Sequence, residues 1–197
     1  MLKKHTKHIL LILTLILLLV LLYAFKNINI FVRIGGTILA IFIFYLSDFY
    51  FKLKFKNIHY FLFALIAISG ILFSNLYSIS PNYDKILHLI SPILLSIIIF
   101  FLINKLKTTF PIKLLLTVSV VLSFLGLFEI GEYALDQLLG WKLQGVFLRD
   151  ISGVVKLKLI MNRNDDTMID LILGTSGILI FVLTKTIKYN YKKIIKK

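Results

Sequence analysis

The sequence predicts an all-α membrane protein with six transmembrane helices, both termini cytoplasmic, and one long outer loop between the fifth and sixth helices. Three observations predict it. Of 197 residues, 59% are hydrophobic and only 16% are charged, whereas a soluble globular domain is about half apolar and about a quarter charged. A chain of this length cannot hide that much apolar surface from water, so the bilayer must be its solvent. The mean hydropathy of +0.94 agrees. Second, the apolar residues gather in six stretches, each close to the roughly 20 residues needed to cross the hydrocarbon. Third, 23 basic residues face 9 acidic ones, giving a net charge of +14, and the basic residues crowd into alternate connections between the stretches.

The first predicted span is residues 8–25. Lys3, Lys4 and Lys7 precede it, as in a signal peptide. Its core is long for one, and Tyr23-Ala24-Phe25 offers no small-x-small cleavage site, so a retained helix is expected. The second span is residues 28–46, with Arg33 near its start. The third is 60–77, the fourth 85–103, the fifth 113–136 and the sixth 168–187. Between the second and third, Phe49–Lys56 alternates aromatic residues with lysine, an amphipathic interfacial turn with snorkelling side chains.

Orientation follows from lysine and arginine alone. With the N-terminus inside, 15 of the 23 basic residues are cytoplasmic: Lys3, Lys4, Lys7, Lys52, Lys54, Lys56, Lys105, Lys107, Lys113, Lys185, Lys188, Lys192, Lys193, Lys196 and Lys197. The opposite orientation would place all of these outside, against the positive-inside rule. The surplus of lysine then reads as anchoring to anionic headgroups at the cytoplasmic face of a cell membrane, not as a nucleic-acid surface. Nothing in the sequence names a protein partner. The chain has no cysteine, which excludes disulfides, thiolate nucleophiles and cysteine-ligated metals.

The acidic residues segregate the other way. Asp48 is on the cytoplasmic side; Asp84, Glu129, Glu132, Asp136, Asp150, Asp165, Asp166 and Asp170 lie outside or in the outer half of a span. Glu129, Glu132 and Asp136 are spaced i, i+3, i+7 and share one helical stripe. Asp84 and His88, and likewise Asp166 and Asp170, are i, i+4 pairs. Three spans therefore carry polar stripes at one depth. Ionisable groups in a bilayer face a bundle interior or a water-filled cavity and usually mark function. A polar pocket open to the outside is the expectation, built from His88, Glu129, Glu132 and Asp170 with Asp84 and Asp166. His88, Lys85, Arg149 or a bound cation would offset the carboxylates. Histidine with carboxylates is a workable ligand set for Zn²⁺ or another divalent metal, although the spacing matches no established metal motif.

Each of these residues also has a structural reading. Glu129 and Glu132 would tie helices together through hydrogen bonds. His88 and Asp84 would cap a helix at the interface. Asn164-Asp165-Asp166-Thr167 reads as an N-cap cluster. Asp136, Asp150 and Asp165 are expected to be solvated, and His5, His8 and His59 to be interfacial. Pro92, four residues after His88, should free the carbonyl of residue 88. Gly174 and Gly177 on the sixth span, and Gly126 and Gly131 on the fifth, offer small-residue packing faces. The 137–167 loop is too apolar for disorder. Its alternating Val155–Met161 and the Asp150-Ile-Ser-Gly153 turn signal suggest a hairpin or re-entrant lid.

Tyr83-Asp84-Lys85-Ile86-Leu87-His88, Glu129-Ile-Gly-Glu132, Gln144-Gly145 and Asp166-Thr-Met-Ile-Asp170-Leu with Gly174 occur in that order. In this the chain resembles the YjdF-type bacterial inner-membrane proteins over residues 60–185. It is more loosely similar to VanZ-like membrane proteins. Glu132 replaces a glutamine of the VanZ-like pattern, and Val146 stands where the YjdF-type pattern has an acid. The resemblance implies a six-span membrane protein with a shared polar core and brings no reaction. The VanZ-like similarity, through its link to glycopeptide-antibiotic resistance, implies the envelope side. Two function classes follow: an intramembrane enzyme acting on a lipid or envelope precursor, with His88 or a glutamate as general acid or base, and a binder or transporter of a cation or cationic compound. The absence of an internal repeat counts against the usual secondary-transporter plan. A non-catalytic accessory membrane protein is the third reading.

Overall fold

A computed structural model of the chain describes residues 28–140, 142–149 and 157–195. The first predicted span, with Lys3, Lys4, Lys7, His5 and His8, lies outside the described residues, as do Trp141, Asp150 and the turn after it. The chain divides into two compact units, one ending at Asn75 and one from Leu76 onward.

In the first unit, helix α1 (Ile28–Tyr50) and helix α2 (Asn57–Ala67) pack through Ile34, Ile41 and Ala67, with Ile38, Phe63, Ala64 and Leu72 around them. The connection between them turns on Lys52 and Lys54, both left-handed at φ 51° and 57°. Asp48, near the C-terminus of α1, holds that turn. Its Oδ1 accepts the amide of Phe55 at 3.1 Å, and its Oδ2 accepts the hydroxyl of Tyr60. A carboxylate is unfavourable at a helix C-terminus, and these donors offset that cost. His59 is structural: its Nδ1 accepts the Lys56 amide at 2.9 Å at the start of α2.

The third predicted span, 60–77, is not one continuous α-helix. Regular α-helix ends at Ala67 and is followed by a π-helical turn, Ile68–Leu72, and then by a 3-10 turn, Ser74–Ser78. The apolar helix Asn57–Leu72 spans only about 24 Å at ~1.5 Å per residue. The local cause is chemical. Ser69 Oγ donates back to the carbonyls of Leu65 and Ile66, at 2.6 and 3.2 Å, and Gly70 follows it. A serine back-bonded in this way next to glycine is a site where helices bend or bulge.

In the second unit, helices α3 (Pro81–Ile103), α4 (Phe110–Leu139) and α5 (Arg163–Ile195) pack together. All three begin earlier than the hydropathy suggested, and α4 and α5 also end later. Prolines at the starts of α3 and α4 set their first turns, and α3 continues through Pro92. Asn162 begins α5: its Oδ1 accepts the Asp165 amide at 2.9 Å, while its Nδ2 donates to Asp165 Oδ2 at 2.7 Å. The N-cap is therefore Asn162 with Asp165, and Asp166 is left for another role. Asp165 is exposed, as expected.

The crossing of α3 and α5 depends on glycine. A Cβ at Gly177 would run into the backbone carbonyl of Leu89, and one at Gly174 would lie 2.6 Å from Leu125 Cδ1 on α4. Gly126 and Gly131 were expected to do the same on α4, but a Cβ at either would meet nothing within 4 Å. Among the described residues no neighbour packs on either glycine. Lower in the bundle Phe100, Leu114 and Phe181 form a small core, and Phe110 stacks on Tyr189 with centroids 4.1 Å apart.

The surfaces of these helices are apolar. Leu115, Phe124, Leu127, Ile130, Leu179 and Leu183 are exposed. Several hydroxyls are satisfied inside their own helices, as when Thr117 Oγ1 donates to the Lys113 carbonyl at 2.8 Å and Thr186 Oγ1 to that of Val182 at 2.9 Å, whereas buried Ser96 Oγ has no partner among the described residues. An apolar exterior with internally satisfied polar groups is the pattern the bilayer demands. Four described helices are long and apolar enough to cross it: α1 over Arg33–Tyr50, and α3, α4 and α5 over their whole lengths.

The 137–167 segment contains a two-stranded antiparallel hairpin, β1 (Val146–Arg149) with β2 (Leu157–Met161). Phe147 pairs with Leu159, and the register shifts between Val146 and Phe147. Gly140 ends α4 in the left-handed conformation, φ 65°. Gly145 enters β1 at φ 88° with the Met161 carbonyl close by, a position that suits only glycine.

Candidate functional site

Lys85 is the hub of the polar residues. It projects from the first turns of α3, where Asp84 precedes it and His88 lies almost one turn on. Its Nζ is 3.2 Å from Asp84 Oδ2, 2.5 Å from Asp166 Oδ1 and 2.7 Å from Asp170 Oδ1. One ammonium thus joins two carboxylates of α5 to one of α3. Asp166 and Asp170 are 3% and 1% exposed, so these are not surface ion pairs.

His88 is buried and joins the remaining helix. Its Nε2 is 3.4 Å from Asp84 Oδ1 and 3.9 Å from Asp170 Oδ2, while its Nδ1 is 3.8 Å from Glu129 Oε1 on α4. The ring of Phe128 lies edge-on to the imidazole at 5.9 Å between centroids. Glu129 is itself buried, with Thr167 beside its carboxylate and no hydrogen bond within 3.5 Å to Oε2 among the described residues. Glu132, one turn further, is half-buried and interacts electrostatically with Glu129, His88, Asp84 and Asp170. Tyr77 also borders the cluster, its ring packed edge-on against Tyr83.

The expected residues therefore come together. Asp84, His88, Glu129, Asp166 and Asp170 are linked by the distances above, and Glu132 adjoins them. Of the proposed counter-charges, Lys85 takes the central place; the side chain of Arg149 lies outside the described residues.

Asp136 differs from expectation. It is buried, not solvated, because it caps the chain leaving α4: Oδ1 accepts the Leu143 amide at 2.6 Å and Oδ2 the Gln144 amide at 3.1 Å. Arg163 Nη2 is 3.9 Å from the same carboxylate. Gln144, part of the Gln-Gly motif, has a structural role. Its Nε2 donates to Thr167 Oγ1 at 3.1 Å, and the Gly145 amide donates to Asp166 Oδ2 at 2.7 Å. The start of the hairpin is thus pinned to the acidic cluster by the residues of the Gln-Gly motif.

The arrangement has two chemical capacities. Full ionisation would leave the carboxylates in clear excess over Lys85, so the cluster is suited to a further cation. His88 lies between carboxylates on both ring nitrogens, at 3.4 to 3.9 Å, which places a titratable imidazole within reach of proton-exchanging partners.

Apolar spans enclosing a buried, charged cluster define a polytopic α-helical membrane protein. The comparison with family models agrees and is more particular: residues 6–190 match the family described as Predicted membrane protein (DUF2238), and the chain belongs to that family. Comparison with curated proteins and with solved structures finds no match.

Proposed function

We propose that this protein is a multi-pass cell-membrane protein, with both termini cytoplasmic, whose polar cluster opens to the outer side and acts on a lipid or lipid-linked envelope precursor. The observation that carries this reading is the convergence of Lys85, His88 and buried carboxylates from α3, α4 and α5 at one end of the bundle. Such groups are costly in a bilayer, and their cost is understandable where they serve a substrate that resides there. His88 or Glu129 would move the proton, and Lys85 would hold an anionic headgroup or its surrounding carboxylates in place. The YjdF-type and VanZ-like resemblances support an envelope setting. The excess of carboxylates favours a second reading, a binder or transporter of a cationic compound. In the accessory reading, the same ion pairs simply fasten the helices together.

Orientation is tested first. The chain has no native cysteine, so single cysteines report without background. On intact cells a membrane-impermeant maleimide should label Lys142→Cys, beside the hairpin, and should spare Lys107→Cys until the membrane is broken. Labelling in the reverse order would put the cluster on the cytoplasmic side.

Activity is tested through lipid pools. Wild type, Glu129→Gln and His88→Gln are expressed in bacteria to equal membrane abundance, and lipids and lipid-linked precursors are compared by mass spectrometry. One pool should change at least severalfold with wild type and stay at the empty-vector level with both variants. If no pool changes, or if the variants act like wild type, the enzymatic reading fails.

A further inference from the structure

We propose that Asp84, His88 and Asp170 bind one divalent transition-metal ion of the Zn²⁺ or Mn²⁺ type, with Glu129 orienting the histidine. Asp84 and His88 share a face of α3 as an i, i+4 pair, an arrangement that presents two ligands from one helix. Asp170 meets them from α5. One ligand atom from each of the three lies within 4.8 Å of the others. Two of the separations, from His88 Nε2 to Asp84 Oδ1 and to Asp170 Oδ2, are 3.4 and 3.9 Å. Ligands about 2.0–2.1 Å from a tetrahedral ion stand roughly 3.3–3.4 Å apart, so side-chain shifts of about an ångström complete the site.

The surroundings fit a metal better than they fit a bare cluster of acids. Lys85 occupies only one oxygen of each ligand carboxylate, Asp84 Oδ2 and Asp170 Oδ1. The other oxygens are the ones turned toward His88 Nε2. On the far side of the ring, Glu129 Oε1 lies 3.8 Å from Nδ1. A carboxylate behind a metal-binding histidine fixes its tautomer and raises its basicity. Glu129 is 6% exposed, and its carboxylate has Thr167 and His88 as polar neighbours, with Oε2 in no hydrogen bond within 3.5 Å among the described residues. A carboxylate buried this deeply behind the histidine adds negative charge that favours a cation at the cluster. Asp84, Glu129, Asp166 and Asp170 against Lys85 leave three negative charges when all are ionised, and a divalent ion cancels two of them. Imidazole with carboxylates suits Zn²⁺ or Mn²⁺ and does not suit an ion such as Cu⁺ that takes thiolate or thioether ligands. Three protein ligands leave a position for water or for a substrate oxygen.

The inference rests on the same residues as the proposed function but not on a lipid substrate, and its test reads metal alone. The full-length chain, purified in detergent on a tag without histidine, is loaded with Zn²⁺ or Mn²⁺, desalted, and analysed by mass spectrometry for metal and by thermal unfolding. Wild type should retain about one ion per chain and gain several degrees in Tm on addition of that metal. Asp170→Asn and His88→Gln should lose the ion. Glu129→Gln should weaken binding about 10–100-fold. Asp165→Asn, on the exposed cap, should bind as wild type does. Folded wild type that retains neither metal and shows no shift in Tm overturns the site, whether or not the variants fold. So does His88→Gln that keeps full stoichiometry. Lipid pools play no part in the readout, so a negative metal result is separable from failure of the lipid reading.

Discussion

Lys85→Met should be among the most damaging single substitutions in the second unit, lowering its stability by about 3–5 kcal/mol. The side chain is only 15% exposed and satisfies Asp84, Asp166 and Asp170 together. Removing it leaves three carboxylates in a poorly hydrated site with no shared cation. The loss exceeds that of any one ion pair, because each carboxylate keeps its desolvation cost without its partner. Thermal unfolding of the purified protein in detergent checks the size of the effect. Lys85→Arg should recover part of the loss, since it restores the charge but not the compact ammonium geometry. A Lys85→Met protein as stable as wild type would mean that the ammonium is not the hub of the cluster.

The second large effect is steric. Gly177→Val should cost about 1–3 kcal/mol or more, because the added side chain meets the Leu89 carbonyl on the backbone of α3 and no rotamer change relieves that contact. Ile93 Cγ1, 3.3 Å from the same added Cβ, closes the obvious escape route. The helices must separate, and that moves Asp166 and Asp170 away from Lys85. Packing at Gly177 and pairing at Lys85 are thus two parts of one interface. Gly126→Ala is the contrast. A Cβ there meets nothing within 4 Å among the described residues, and exchanging glycine for alanine inside a helix should be neutral or stabilising by about 0.5–1 kcal/mol. If both substitutions cost the same, the close approach of α3 and α5 is wrong.

Much of the cluster was legible in the sequence because its signals are periodic. Asp84 with His88, and Asp166 with Asp170, repeat at helical spacing, and an acidic stripe in an apolar helix has little alternative to facing inward. What was not legible depends on partners that leave no side-chain pattern. The place of Asp136 at the end of a helix predicts a solvated side chain, whereas its partners are backbone amides seven and eight residues on. The sequence pattern alone could not choose between Asp165 and Asp166 as the cap residue, since Asn162 decides it by engaging Asp165. The helix from Asn57 departs from a continuous span because hydropathy averages over Ser69 and Gly70, where hydroxyl back-bonding and the missing side chain change the backbone. Among the described residues Gly174 and Gly177 pack against neighbours while Gly126 and Gly131 meet none, a distinction set by which face of each helix meets a neighbour. Sequence spacing alone does not carry that information.

Helices α3 and α5 share one buried charge cluster, and a double-mutant cycle on Lys85→Met and Asp170→Asn measures that coupling. Unfolding of the wild type, both single variants and the double variant in the same detergent gives the coupling. The two side chains are 2.7 Å apart, and residues in one ion-pair network couple by about 0.5–3 kcal/mol. The double variant should therefore be less destabilised than the sum of the two single variants by an amount in that range. Additivity to within about 0.3–0.5 kcal/mol, as for distant and independent sites, would contradict the shared cluster.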